Sequence, residues 1–216
     1  MTRRPIALAL CLTGWTMTAR AQDRLPPIPE SQQTEAQKKA IAEFTAARKT
    51  GISGPFVPLL RSPEVMNRAR AMGDYLRFNS VLPPRLSEFA ILITARYWTQ
   101  NYEWDAHNQL ALQGGLSPDI IKAIADGRRP DKMAADEAIV YDFFTELFAN
   151  KSVSDPTYAR AVAKFGEKGV IDLLGVVGYY TMLAMVMNVP RTPAQHGAVL
   201  PLTPIPQQMT MRKVVD

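Results

Sequence analysis

Two histidines, His107 and His196, and a single cysteine, Cys11, are the only imidazole and thiol groups in the 216 residues. His107 lies four residues after Glu103, in the run Tyr102-Glu103-Trp104-Asp105-Ala106-His107. On a helix, positions i and i+4 share a face, so carboxylate and imidazole can touch or converge on one ligand. An imidazole beside a carboxylate is a proton carrier whose titration falls near neutral pH. A second carboxylate, Glu88, stands ahead of the apolar run Phe89 to Ala95 (FAILITA). Antiparallel packing of that helix on the next one would bring Glu88 towards His107. Plainer explanations stand beside this one. A Glu–His pair on a solvated helix contributes only ~0.2–0.5 kcal/mol, and a glutamate early in a helix is favoured by the helix dipole alone. A metal centre is not expected. The di-iron pattern needs Glu-x-x-His on two helices, whereas this chain has Glu-x-x-x-His once.

The elements that must position these residues read as helices throughout. Thr34 to Lys49 carries Ile41, Phe44 and Ala47 at helical spacing. Gly51 to Pro63, with two further prolines and a second glycine, reads as a loop. A second helix spans about Pro63 to Phe78. Pro83-Pro84 opens a third, since proline suits a first helical turn. A fourth begins near Tyr102 and stops at Gly114-Gly115, and Ser117-Pro118 opens a short fifth that ends at Asp126-Gly127. Met133 to Asn150 is amphipathic through Ile139, Phe143, Phe144 and Leu147. Asp155-Pro156 starts another helix, running to about Phe165. Gly169 to Asn188 is apolar nearly all round but interrupted by Asp172, which favours a buried central helix over a membrane span. Nothing alternates with period two for long enough to form a sheet. The expectation is an all-α, single-domain helical bundle of seven or eight helices over residues 34–190. A Pro-rich leader (22–33), extended and mobile, precedes it, and a Pro-rich tail (191–216) follows.

Residues 1–21 read as a secretory signal: Arg3 and Arg4, then the apolar stretch Ile6 to Gly14, then Ala19-Arg20-Ala21 as a cleavage site. The apolar run is far short of the roughly 20 residues a membrane span needs. A periplasmic or secreted chain beginning at Gln22 is expected, with no membrane attachment after cleavage. The Arg pair leaves general and twin-arginine export both open. Cleavage would also remove Cys11, and with it every disulfide, thiolate ligand and thiol nucleophile. The formal charge is +5, but setting aside Arg3, Arg4 and Arg20 leaves 22 basic against 20 acidic residues, a net of +2. No basic stripe marks a nucleic-acid partner.

Leu86-Ser87-Glu88-Phe89-Ala90-Ile91-Leu92, then Ala95-Arg96, then Tyr102-Glu103-Trp104 and His107, resembles the carboxymuconolactone decarboxylase family, part of the alkyl-hydroperoxidase-D-like superfamily. The resemblance extends over about Gly54 to Pro190, taking in Gly114-Gly115-Leu116 and Gly178-Tyr179-Tyr180-Thr181-Met182. It implies an alkyl-hydroperoxidase-D-like helical fold that assembles as a homotrimer or homohexamer, with sites near subunit boundaries. In the redox branch a Glu, a Cys-x-x-Cys pair and a His form a proton relay. Glu88 and His107 match the Glu and His by spacing, while Gln100 and Glu103 stand where the cysteines would be. Without those thiols a hydroperoxidase reading is disfavoured.

The decarboxylase branch needs no cofactor. Loss of CO₂ from a lactone acid leaves a dienolate that is then protonated at carbon, which requires a carboxylate anchor, an enolate donor and a proton carrier. On that reading His107 is the catalytic acid/base, with Glu103 or Glu88 orienting it or serving as the second carboxylate. Arg96 would bind the substrate carboxylate, and Tyr102 and Trp104 would wall the pocket. Each has a structural alternative: Arg96 as an ion-pair residue, the two aromatics as core. His196, in the tail, is expected to be exposed, with closure over a neighbouring subunit's pocket as the alternative. The leading expectation is an exported, cofactor-independent lyase acting on a small enolisable or lactone-type acid. The alternative is a non-catalytic protein that binds a small molecule or serves in assembly.

Overall fold

The computed structural model describes residues 23–194 and 202–203. Residues 1–22, with the expected signal and Cys11, and His196 lie outside them. Eight α-helices follow in order: α1 (Glu35–Arg48), α2 (Phe56–Leu59), α3 (Pro63–Phe78), α4 (Pro84–Trp98), α5 (Asn101–Gln113), α6 (Pro118–Ala125), α7 (Ala135–Asn150) and α8 (Asp155–Asn188). Among the described residues there is no strand. The all-α reading holds.

Local chemistry explains most boundaries. Thr34 caps α1 with a capping box: its hydroxyl accepts from Gln37 N (3.3 Å) and Gln37 Oε1 accepts from Thr34 N (3.0 Å). Prolines occupy the first turn of α3, α4, α6 and α8, where no intrahelical N–H is required. Gly166 interrupts α8 with φ 70°, ψ 170°, a left-handed φ that glycine adopts at little cost. That break falls where the sequence separates two helices.

One expectation needs correcting. The 51–63 stretch is not wholly loop, because its Phe56-Val57-Pro58-Leu59 segment closes one helical turn, α2. Phe56, Pro58 and Leu59 are buried there, so burial of three apolar side chains outweighs the Pro/Gly punctuation on either side. The leader, expected to be extended, is so only in part, because Glu30–Gln32 close a 3₁₀ turn, and it is fastened to the body. Arg24 N donates to Pro190 O (2.7 Å), and the Arg61 guanidinium reaches Pro26 O (2.7 Å).

Helix α4 is the axis of the bundle, in contact with α5, α6, α7 and α8. Every residue from Leu86 to Arg96 is buried, which is why its apolar run shows no polar face. Phe89, Leu92, Phe143, Phe144, Leu173 and Met187 join in one core around it. Helix α8 is long and apolar enough to cross a membrane, yet 56% of its most apolar window is buried inside the chain. The remainder faces outward.

Candidate active site

Among the described residues, six carboxylate, guanidinium or imidazole side chains are buried: Glu88, Arg96, Glu103, His107, Glu137 and Asp172. Burying such groups is costly unless they are paired or hydrogen-bonded, so their partners identify their roles. Asp172 accepts from Val81 N (3.0 Å), Tyr75 Oη (3.1 Å) and Lys168 Nζ (3.0 Å), tying α8 to α3 and the turn after it. Glu137 takes Arg85 and the Ala134 N–H, closing the start of α7. These two are structural.

Glu88 and His107 are bonded to each other. His107 Nδ1 lies 2.6 Å from Glu88 Oε2, joining α4 to α5 across the α4–α5 turn. With Nδ1 donating to the carboxylate, Nε2 is left as the proton acceptor of the ring. Among the described residues no group hydrogen-bonds Nε2. The ring stands edge-on to Tyr180, with centroids 4.9 Å apart.

Glu103 is different in kind. It is 3% exposed, and neither carboxyl oxygen has a hydrogen-bond partner. Burial pushes its carboxyl well above the ordinary carboxylate range, so it is held as a neutral acid. It sits one turn before His107, on the same face of α5.

Both residues line a cavity of about 230 Å³. Tyr102, Glu103, Ala106 and His107 of α5 form one wall, and Tyr179, Tyr180 and Leu183 of α8 another. Phe44 and Arg48 of α1, then Thr50, Ser53, Pro55 and Phe56, and Arg77 of α3 complete it. Burial pushes the Tyr180 hydroxyl far up and the Tyr179 hydroxyl up to about 12, the nearby Arg48 working against the latter shift. Two close approaches shape the walls. A Cβ on Gly73 would fall 2.4 Å from Tyr179 Oη, and one on Gly54 2.5 Å from Tyr102 Cε1.

The cavity thus gathers four of the expected residues, His107, Glu103, Tyr102 and, through its bond to His107, Glu88. Arg96 and Trp104 lie elsewhere. Trp104 is one residue and about 100° of helix past Glu103, which turns it into the core. Arg96 is two turns beyond Glu88, about 12 Å along α4. Its guanidinium donates to Ala125 O (3.2 Å), Thr99 Oγ1 (3.3 Å) and Thr203 O (2.6 Å), bolting the 202–203 segment to the ends of α4 and α6. It is therefore not a cavity cation. Gln100 is also occupied structurally, accepting from Tyr102 N (2.7 Å) and donating to Asn188 Oδ1 (2.8 Å).

The cations that do line the cavity, Arg48 and Arg77, escaped the sequence reading. Each stands in the last turn of its helix, where a basic residue is explained by the helix dipole alone, so no local signal marked them. Among the described residues no group of three or more His, Cys, Asp and Glu side chains forms a metal cage.

Residues 63–139 match the profile of the Carboxymuconolactone decarboxylase family. No curated protein sequence matches the chain. The fold is similar to a crystal structure from Ralstonia eutropha JMP134 titled as an alkylhydroperoxidase AhpD core, an uncharacterized peroxidase-related protein. That similarity has a TM-score of 0.66 at 14% identity, covering 82% of this chain and 95% of the other. The matched segment holds α3 to α6 and the start of α7, and with them Glu88, Glu103 and His107. The chain carries a carboxymuconolactone decarboxylase family domain over residues 63–139, on an AhpD-like all-helical fold.

Proposed function

We propose that the protein is a cofactor-independent acid/base enzyme, a lyase resembling the carboxymuconolactone decarboxylases, acting at an enolisable carbon of a small acid or lactone. One observation carries this reading: the hydrogen-bonded His107–Glu88 pair shares a cavity wall with the buried, unpartnered carboxyl of Glu103. When a carbon–carboxylate bond breaks, its electron pair passes into the adjacent carbonyl, leaving an enolate and CO₂. Glu103, whose carboxyl oxygens are closed off from solvent in this structure, turns towards the substrate and, as an acid, donates a hydrogen bond to the enolate oxygen as charge develops there. His107, protonated at Nε2, delivers its proton to the enolate carbon, and water restores it. Glu88 fixes the ring orientation and offsets the imidazolium charge while His107 is protonated. A thiol peroxidase would need a cysteine at this cavity; the lining residues include none, and the sequence's one cysteine is Cys11.

The same reading has an exported protein that self-associates. Along α8, Ile171, Leu174, Met185 and Val189 are 65, 37, 42 and 67% exposed, at spacings that keep one stripe outward. Open space at Gly178 lets a second copy approach that stripe closely. An apolar helix face of this kind suits a homo-oligomer contact.

The test compares wild type with His107→Ala on lactone acids, β-keto acids and enolisable aromatics, followed by mass spectrometry. Consumption by wild type and at least a hundredfold slower consumption by the variant is expected, on the scale of a lost general acid/base. Compounds that persist with both proteins but co-purify with them would replace the enzyme by a binding protein.

A further inference from the structure

Two kinds of charged group stand on the cavity lining: the acid/base residues Glu103 and His107 of α5, with Glu88 behind His107, and two cations, Arg48 of α1 and Arg77 of α3. The arginines differ in how they are held. Arg48 gives Nε (3.0 Å) and Nη2 (2.8 Å) to one oxygen of Asp74, while Arg70 takes the other oxygen (3.0 Å). Its guanidinium also rests against two rings, 5.3 Å from the Phe44 centroid and 4.9 Å from that of Phe56. One carboxylate is thus shared by two guanidiniums and neutralises only one of them. Arg77, half-buried, has no ion pair or hydrogen bond among the described residues; its guanidinium lies 5.2 Å from the centroid of the Phe78 ring. The two arginines therefore keep an excess of positive charge beside apolar and aromatic walls.

We propose that Arg77 and Arg48 form an anion anchor that fixes the substrate's polarity in the cavity: a carboxylate at the arginines, the reacting carbon at His107, and a flat apolar body between them against Phe44, Phe56 and Tyr102. The proposal rests on the acid/base reading for the reacting end only. At the arginines a carboxylate meets the Arg77 guanidinium, which has no counter-ion among the described residues. The anchored carboxylate is consequently retained through the reaction and is not the group lost at His107. Asp74 is a positioning residue, holding Arg48 against the Phe44 and Phe56 rings. Arg48 lies before the family-matched segment and Arg77 within it, so the anchor is assembled from both.

The probe is benzoate, with benzamide as its uncharged counterpart, titrated into the full-length protein by calorimetry and ligand-observed NMR. Wild type is expected to bind benzoate at least tenfold more tightly than benzamide. Arg77→Met, which breaks no ion pair, is expected to abolish that preference. Asp74→Asn is expected to weaken it partially, with helicity retained. His107→Ala is expected to lose turnover but keep the preference, which separates failure of the anchor from failure of the acid/base reading. Equal affinities for the two probes in wild type, or an Arg77→Met variant that still prefers benzoate, would overturn the anchor whatever the turnover assay shows.

Discussion

Replacing Glu103 by Gln tests the physical core of the site without knowledge of a substrate. In the native protein the Glu103 carboxyl has no hydrogen-bond partner and no water-accessible oxygen, and burial holds it protonated. In the unfolded chain the same group titrates near ~4.3. Its folded pKa is therefore the raised one, and its contribution to stability is fully present below the unfolded value. Above that value the unfolded state has released a proton that the folded state retains. The folded state binds one proton more, so stability falls by ~1.4 kcal/mol for each pH unit until Glu103 itself ionises.

Gln keeps the shape and neutrality of the acid and cannot titrate. The variant should match wild type within about 1 kcal/mol near pH 4, both carrying an unsatisfied polar group. It should then gain on wild type by ~1.4 kcal/mol per unit as the pH rises through 5 and 6. Urea unfolding of both proteins at pH 4, 5, 6 and 7, with equal m-values as the check on two-state behaviour, measures the difference directly. Parallel stability curves over that range would refute the reasoning: Glu103 would then ionise at an ordinary pH, and its role as a neutral donor would go with it.

Three further outcomes follow from the same geometry. Gly73→Ala gains up to ~1 kcal/mol of helix propensity, but its Cβ would meet Tyr179 Oη at 2.4 Å. Denaturant unfolding should show a net loss of ~1–3 kcal/mol, and a variant more stable than wild type would mean Tyr179 moves freely. Ile171→Glu with Leu174→Glu should lower the mass measured by light scattering to that of one chain while leaving the circular dichroism unchanged. An assembly that survives both charges would place the contact on another face. Expression of the full chain with export intact should give a periplasmic or secreted product whose N-terminus, by mass spectrometry, is Gln22; an intact Met1 product would remove the signal reading.

Most helices and their faces are legible in the chain alone, because both depend on near neighbours along it. Helical periodicity with Pro and Gly punctuation marked seven of the eight helices, and the left-handed backbone of Gly166 explains why α8 was read as two. The i,i+4 spacing placed Glu103 and His107 on one face whatever the tertiary structure. It could not separate a solvated pair from a buried one, since that depends on what covers the face. The short helix α2 was missed for a related reason, as burial of Phe56 and Leu59 rather than local propensity holds it.

Which distant side chains meet depends on how the helices pack. Glu88 reaches His107 because α4 and α5 pack as they do, bringing groups 19 residues apart to 2.6 Å. Arg96, the cation nearest in sequence, is drawn away by three oxygen acceptors, while Arg48 and Arg77 arrive from two helices whose sequences announce nothing beyond a basic last turn. Local spacing fixes direction on a helix; which directions converge is set by how the helices pack around α4, through contacts between residues far apart in the chain.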